Sequence, residues 1–217
     1  MMRFHLITLF EEACDAYLSA SIVGRARKEK KISVSYQSPR AYVANRWGKV
    51  DERPYGGGPG MVMQAMPVVK AVEKALGKKK NKKVVVWFSP GAKQFTNKDA
   101  DALLKYDEVM LVCGRYEGID ERAKKIIKTL TPVKEFAVGE AIYTGGEVPA
   151  LAIVDAVTRR IPGVLGKDAS IEERRVASRA VYTRPETIEY KKKKYRVPKV
   201  LQTGHHANID SWRKRAK

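Results

Sequence analysis

Strand-like and helix-like segments alternate along the first 160 residues, and no other feature limits the possible folds as strongly. Residues 83–89 (KVVVWFS) and 108–113 (EVMLVC) are continuous apolar runs, the pattern of strands that are covered on both faces. Each run is followed by a segment whose apolar residues recur at helical spacing. A chain that repeats strand and then helix favours an α/β fold with a mainly parallel sheet.

The same patterns predict the remaining elements and a change of organisation near residue 160. Strands are predicted over residues 3–10, 32–36, 83–89, 108–113 and 133–138, and helices over residues 11–30, 67–76, 97–106, 119–128 and 149–160. Three regions are predicted: a domain of residues 1–160, a flexible linker of residues 161–175, and a small, basic, mostly helical C-terminal domain of residues 176–217.

The charge of the chain indicates a polyanionic partner. The 217 residues include 43 Lys or Arg against 24 Asp or Glu, a formal net charge of +19. Residues 167–217 hold 15 of the basic and 6 of the acidic residues, which is nearly half of the excess charge. Because contacts with phosphates release counterions and favour binding, nucleic acid is the expected partner, and a solubilising surface is the alternative.

Several classes of protein are excluded by what the sequence lacks. No apolar run approaches the roughly 20 residues that cross a bilayer, and the first residues do not have the pattern of a signal peptide. Cys14 and Cys113 make no disulfide framework, and His5, His205 and His206 add no zinc-ligand spacing to them. We therefore expect a cytoplasmic protein without a metal site of its own.

Three glycine-bearing loops are the candidate binding elements. Residues 53–61 (RPYGGGPGM) contain neither the Gly-Lys-Ser/Thr of a P-loop nor the G-x-G-x-x-G of a dinucleotide site. Four glycines within five positions exceed what one turn needs, which favours a ligand contact over a simple turn. Residues 113–121 and 138–149 each follow a strand and precede a helix, where open α/β sheets bind ligands. Together with the strand end at residues 89–91 (SPG), they predict a small-ligand site formed by main-chain groups. For residues 113–121, a plain strand-to-helix turn capped by Asp120 is an equal alternative.

At these loops the sequence resembles a known family. Five segments are similar, in order and in spacing, to those of the bacterial tRNA (guanine-N1)-methyltransferases: residues 51–61 (DERPYGGGPGM), 112–122 (VCGRYEGIDER), 144–147 (TGGE), 160–166 (RIPGVLG) and 182–186 (YTRPE). The resemblance runs from the first strand to Trp212. It implies methylation of N1 of guanosine at tRNA position 37, next to the anticodon.

The resemblance also implies a fold, a cofactor and an assembly that the pattern of residues does not show. The family has a SPOUT-type α/β fold with a deep trefoil knot, and it forms a homodimer in which both subunits contribute to each active site. S-adenosylmethionine is the methyl donor, tRNA is the partner, and Mg²⁺ is a further candidate cofactor. By motif match, the cofactor-binding residues are Ser89, Pro90, Gly114, Tyr116, Glu117, Val138, Gly139, Glu140, Ala141, Ile142, Tyr143, Gly145, Gly146 and Pro149.

The expected reaction is a direct displacement, in which guanine N1 loses its proton and attacks the methyl group. By motif match, Arg159 stabilises the charge that develops on guanine O6, and the alternative is that it only ends a helix favourably. The family has an aspartate as general base in the linker, but Arg174 stands at that position here. Glu173 is therefore the candidate base and Glu172 the second, and the alternative is that both are solvated residues at a helix start.

Predicted contacts with tRNA complete the site. Residues in and near the glycine loop are expected to touch the target base or its neighbour: Asp51, Arg53, Gly58, Pro59 and Gly60. In the C-terminal domain, Arg184 and His206 are expected to support the anticodon stem. One alternative is a tRNA-binding protein of the same fold with weak or no turnover. Another is a related knotted methyltransferase that acts on other RNA, against which residues 56–60 and 182–185 argue.

Overall fold

The apolar strands predicted from the sequence pair into one parallel sheet. The computed structural model describes residues 1–166 and 180–215, and the chain falls into two compact units, Met1–Val164 and Leu165–Lys217. In chain order the first unit contains β1 (Met2–Ile7), α1 (Glu11–Leu18), α2 (Ser21–Lys28), β2 (Ile32–Gln37), β3 (Asp51–Glu52), β4 (Val62–Met63), α3 (Ala65–Leu76), β5 (Lys83–Phe88), α4 (Asn97–Leu103), β6 (Glu108–Val112), α5 (Glu121–Leu130), β7 (Val133–Phe136) and α6 (Glu147–Thr158).

Helices cover both faces of this sheet because successive side chains of a strand point to opposite faces. In β6, Val109 and Leu111 join a core that includes residues of α1, α2, α4 and α6. Met110 and Val112, the alternate residues of the same strand, join a second core built with α3 and α5. The two cores explain why β5 and β6 are apolar at every position after the first, instead of at every second one.

The strand order is β2-β1-β6-β5-β7, and each neighbouring pair is parallel. All five carboxyl ends therefore lie at one edge of the sheet. Val112 at the end of β6 pairs with Ile7 of β1 and with Trp87 of β5, and Phe88 pairs with Phe136 of β7. The loops that leave β5, β6 and β7 consequently start side by side.

A polar network lies at the opposite edge, where β6 begins. Glu108 is 4% exposed and accepts hydrogen bonds from Arg3 and from Asn81 Nδ2 at 2.7 Å. His5 contacts Glu108 through Nε2 at 3.2 Å and Ser35 Oγ through Nδ1 at 2.7 Å. Burial raises the pKa of Glu108, but the bonds from Asn81 and Arg3 outweigh it and leave this pKa below its ordinary value of 4.5. The carboxylate is thus ionised and holds β1, β6 and the loop before β5 together.

The single helix predicted over residues 11–30 is wrong, since α1 and α2 are separate. Ser21 takes a positive φ of 49°, and Gly24 lies so close to the carbonyl of Ser19 that a Cβ would be 2.1 Å from its oxygen. The side chain of Arg27 donates to both Asp15 Oδ1 and Ser19 Oγ at 2.8 Å, which secures the break. Helical periodicity continues across the break, so the sequence pattern did not reveal it.

In the second unit the structure describes a hairpin, a short 3₁₀ turn and a helix: β8 (Thr187–Tyr190), β9 (Lys193–Arg196), Lys199–Gln202 and α7 (His206–Arg215). The prediction of a mostly helical domain is therefore corrected for residues 180–215. Lys191 and Lys192 form the turn with positive φ values of 49° and 63°, a geometry usually supplied by Asn-Gly. The sequence did not reveal this turn, because a run of four lysines contains none of the residues that usually form it.

The α/β class with a mostly parallel sheet is confirmed, whereas the trefoil knot stays a prediction. The boundaries of the linker also stay a prediction, because residues 167–175 lie outside the described residues. Within residues 1–166 and 180–215, no helix is long and apolar enough to cross a membrane.

Replacing Glu108 with Gln should lower the free energy of unfolding by about 2 kcal/mol, because the buried network loses a charged acceptor. The stabilisation depends on the ionised carboxylate, so it is present at neutral pH and is lost as the pH falls through the lowered pKa of Glu108. Urea unfolding at pH 7 and at a series of pH values below 4.5 measures both effects.

Glu29→Gln is the matched control, since Glu29 is 46% exposed and pairs only loosely with Arg25 and Lys31, at 3.9 and 3.6 Å. We expect this control to change stability by less than about 0.5 kcal/mol. Equal effects of the two substitutions would show that the Glu108 network does not stabilise the sheet.

Candidate active site

Loops from three adjacent strands enclose a cavity of about 290 Å³ at the carboxyl edge of the sheet. The loop after β5 contributes Ser89 and Pro90, the loop after β6 contributes residues 114–118, and the loop after β7 contributes residues 137–146. The first turn of α6 closes the cavity with Pro149. This is the edge where parallel α/β sheets bind ligands, because their backbone groups and loops converge there.

The structure brings all fourteen predicted cofactor-binding residues to this cavity, although their roles stay predictions. Six further residues line it that the sequence analysis did not name: Phe88, Arg115, Gly118, Phe136, Ala137 and Thr144. Phe88 and Phe136 are the last residues of β5 and β7, one and two positions before the loop segments that were recognised at residues 89–91 and 138–149. A search that included each strand's last residue would have found them.

A close approach of two backbones fixes the shape of the cavity. Gly146 donates its N–H to the carbonyl of Gly114 at 2.9 Å. A Cβ on Gly146 would lie 2.6 Å from Cys113 Cα and 2.9 Å from the nitrogen of Gly114, both of them backbone atoms. The start of α6 can therefore pack on the end of β6 only if residue 146 has no side chain.

Glu147 is the buried charge beside the cavity. Its side chain is 6% exposed and accepts from Thr8 Oγ1 at 2.8 Å and from Arg115 Nε at 2.9 Å. The guanidinium of Arg115 also lies over the ring of Phe10, with Cζ 4.5 Å from the ring centroid. These contacts join the ends of β1 and β6 to the start of α6, where the helix dipole favours a negative charge.

The two cysteines near the cavity are not reactive groups. Both are buried and free. Burial raises the pKa of the Cys14 thiol to about 11 and that of Cys113 well above its ordinary value, and the negative charge of Glu147 adds to both shifts. Each side chain is therefore a neutral thiol that fills the core.

The glycine loop borders a neighbouring open groove that shares Glu117 and Gly118 with the cavity. Gly56, Gly57, Gly58 and Gly60 all have positive φ values, between 78° and 114°. Their number therefore has a conformational cause and is not by itself a sign of a ligand. A Cβ on Gly60 would also lie 2.5 Å from Glu117 Oε1. The backbone of the loop therefore packs directly against Glu117, which lines the cavity.

The predicted tRNA contacts of the first unit lie on or near this groove. Arg53 lines the groove, and Asp51 lies half-buried in β3, which pairs with β4. Gly58, Pro59 and Gly60 are exposed on the loop. In the second unit, the predicted tRNA contacts Arg184 and His206 are both exposed, the first before β8 and the second at the start of α7.

Arg159 and Arg160 end α6 and have different surroundings. Arg160 is 5% exposed, donates to Ala156 O and Asn97 Oδ1 at 2.6 Å, and pairs with Asp101 Oδ1 at 3.2 Å, so it ties α6 to α4. Arg159 is half-buried, and its backbone N–H donates to Asp155 O at 3.1 Å. The structure thus gives Arg160 a packing role, whereas the catalytic role of Arg159 stays a prediction.

The candidate bases Glu172 and Glu173 lie outside the described residues, as does Arg174. Among residues 1–166 and 180–215, no three His, Cys, Asp or Glu side chains cluster as metal ligands.

Comparison with known proteins identifies the family. The model of the family "tRNA (Guanine-1)-methyltransferase TrmD" matches residues 2–217. The chain belongs to this family. Proteins named tRNA (guanine-N(1)-)-methyltransferase from Shewanella sediminis and Moorella thermoacetica are each 39% identical to it over 98% of the chain and 86% and 84% of their own lengths. One from Mannheimia succiniciproducens is 40% identical over 98% of the chain and 82% of its own length.

The resemblance stated from five short segments is therefore confirmed over nearly the whole chain. Membership of the tRNA (guanine-N1)-methyltransferases also agrees with the charge of the chain, since tRNA is a polyanion. The relation covers both units, so the C-terminal unit with its hairpin belongs to the same family match.

Replacing Gly146 with Ala should lower the free energy of unfolding by about 1–3 kcal/mol, because the added methyl group meets backbone atoms that cannot rotate away. Urea unfolding measures the loss, and calorimetric titration of S-adenosylmethionine should show weaker binding. Gly91→Ala is the control, since a Cβ at Gly91 meets nothing within 4 Å. If both variants were as stable as the parent, the close approach of α6 to β6 would not constrain residue 146.

Proposed function

We propose that this protein transfers a methyl group from S-adenosylmethionine to N1 of guanosine 37 in tRNA. One observation carries the proposal. In a chain of the tRNA (guanine-N1)-methyltransferase family, every residue that the motifs assign to the methyl donor lines one cavity.

The cavity suits a bent nucleoside with a charged tail. Phe88, Phe136 and Val138 give it an apolar wall for a purine ring, while glycine-rich backbone supplies hydrogen-bonding groups at its edge. Glu117 and Glu140 contribute negative charge to the cavity, which favours a ligand that carries a sulfonium and an ammonium group. When bound, S-adenosylmethionine supplies the methyl group as an electrophile on positively charged sulfur.

The neighbouring groove gives the target base a place to enter. It shares Glu117 and Gly118 with the cavity, so a base that occupies the groove near these residues lies beside the bound donor. Arg53 lines the same groove and is suited to contact the base or an adjacent phosphate. The protein's main contribution is then to hold two reactants in contact, which suits a displacement reaction.

Arg159 acts, in this proposal, on the active site of a second subunit. Helix α6 has twelve residues and is about 18 Å long. Gly146, which lines the cavity, precedes the helix, and Arg159 follows its last residue. An arginine at the far end of α6 does not reach the cavity at its near end, so a homodimer supplies the cation for guanine O6 from the other chain.

Glu173 is the proposed general base, with Glu172 as the second candidate. A base is needed because N1 of guanine carries a proton at neutral pH and becomes nucleophilic when the proton leaves. The carboxylate and the guanidinium would then act together, one taking the proton and the other balancing the charge on O6. The trefoil knot and the tRNA contacts of Arg184 and His206 belong to the same proposal, as does a location in the cytoplasm.

The central test is methyl transfer from labelled S-adenosylmethionine to a tRNA transcript with guanosine at 37. A transcript with adenosine at 37 is the control, and we expect label in the first and none in the second. Equal labelling of both transcripts would contradict the choice of target, and labelling of neither by folded, dimeric protein would contradict the activity.

Replacing Glu173 with Ala should lower kcat by about 10²–10⁴-fold, the contribution of a general base, while tRNA and donor still bind. The loss should be relieved in part as the pH rises, because hydroxide then removes more of the N1 proton. Glu172→Ala is the paired control, with kcat near that of the parent. A normal rate for Glu173→Ala and a large loss for Glu172→Ala would transfer the role to Glu172.

Mixed dimers test which of the two subunits supplies Arg159 to each active site. Arg159→Ala removes the cation, and Ala141→Arg blocks the cavity from an exposed position that does not disturb packing. Each variant alone should be inactive, and a mixture reassembled after partial denaturation should recover about a quarter of the parent activity, since half of the dimers then contain one complete site. No recovery would show that Arg159 and the cavity act within one chain.

A further inference from the structure

The loop before β3 presents an exposed tryptophan with an arginine stacked on it. Residues 43–50 connect a 3₁₀ turn (Pro39–Tyr42) to β3, and Trp47 in this loop is 76% exposed. The guanidinium of Arg46 lies over the indole of Trp47, with Cζ 4.4 Å from the ring centroid. One side of the ring therefore has a cation against it, and the exposed fraction shows that much of the remaining surface meets solvent.

The loop is held in shape although its side chains are exposed. The side chain of Asn45 accepts from the N–H of Lys49 at 2.8 Å and donates to the carbonyl of Lys49 at 2.9 Å. Gly48 donates its N–H to Asn45 O at 3.1 Å and accepts from Arg40 at 3.2 Å. These hydrogen bonds hold Trp47 in position before any ligand binds. Less conformational entropy is therefore lost on binding.

The charges around Trp47 favour RNA over protein as the occupant. Arg40, Arg46, Lys49 and Arg53 lie within fourteen residues that include two acidic ones, Asp51 and Glu52, and Glu52 is paired with Lys49 at 3.0 Å. Because Trp and Arg are common in protein interfaces as well, the local excess of positive charge is what favours a polyanion. An exposed ring among cations is the arrangement that binds an unstacked base, because the ring stacks on the base while the cations contact the phosphates.

We propose that Arg46 and Trp47 form a stacking platform for one unpaired nucleobase of the tRNA substrate. The proposal rests on the proposed function and adds a binding residue that the motifs do not mark. Trp47 is four residues before Asp51, so their Cα atoms are at most about 14 Å apart. The platform thus contacts a base close to the target guanosine and contributes to the affinity for RNA, not to the chemical step.

The first experiment compares Trp47→Ala with Trp47→Phe, using a fluorescently labelled anticodon stem-loop with guanosine at the target position. Trp47→Ala should weaken binding about 5- to 100-fold, the range for loss of one stacked base, and should raise KM for tRNA with kcat and the KM for S-adenosylmethionine unchanged. Trp47→Phe should restore most of the affinity. Leu130→Ala, which removes a 45% exposed apolar side chain from α5, should leave RNA binding unchanged.

The second experiment identifies the stacked base. Abasic substitutions are placed one at a time at the unpaired positions of the stem-loop, except at the target guanosine. At one position the abasic RNA should bind the parent protein and Trp47→Ala equally, because the stacking partner is missing from both. At every other position the difference between the two proteins should persist.

Three results would overturn the platform: unchanged RNA affinity of Trp47→Ala, a difference that persists at every abasic position, or a loss of dimerisation or stability that accounts for the weaker binding. Urea unfolding and size-exclusion chromatography of Trp47→Ala measure the last of these. The readout is RNA binding, so it does not require turnover. Failure of the proposed function appears separately, as absence of methyl transfer by the parent protein.

Discussion

One buried carboxylate, that of Glu147, connects the elements around the cavity. Thr8 follows β1, Arg115 follows β6, and Glu147 opens α6, so two hydrogen bonds to this group join three elements. A buried charge is stable only when it is well paired, and here a hydroxyl, a guanidinium and a helix N-terminus share that task. The Arg115 side chain also occupies the space beside Gly145, where a Cβ would lie 2.4 Å from its Nε. Because residue 145 has no side chain, Arg115 has the space it needs to pair with Glu147.

The parallel sheet decides where this arrangement can form. Because the five strands run in one direction, the loops after β5, β6 and β7 begin at adjacent positions, and residues from distant parts of the sequence meet at one cavity. The Glu108 network lies at the other edge of the sheet, where it holds the starts of β1 and β6 and the loop before β5 in place. Polar groups thus position both ends of a sheet whose middle is apolar.

Much of the fold and of the candidate site was predictable from the sequence, for identifiable reasons. Continuous apolar runs predicted β5 and β6, and glycine-bearing strand ends predicted the location of the cavity. The break between α1 and α2 was missed because it depends on the backbone of Ser21 and the contact of Gly24 with Ser19, which periodicity does not record. The hairpin was missed because its turn is made of lysines. Trp47 was missed because its environment depends on the side chain of Asn45 closing the loop.

Five of the residues that line the cavity are glycines, at positions 114, 118, 139, 145 and 146. A small molecule shaped to this space could be excluded by a larger side chain at an exposed position such as Ala141, but two of the glycines do not offer that change. At Gly145 and Gly146, such a mutation would place atoms against Arg115 or against the end of β6 and so damage the protein itself. A mutation that blocks an inhibitor at either of these two glycines would therefore also destabilise the enzyme.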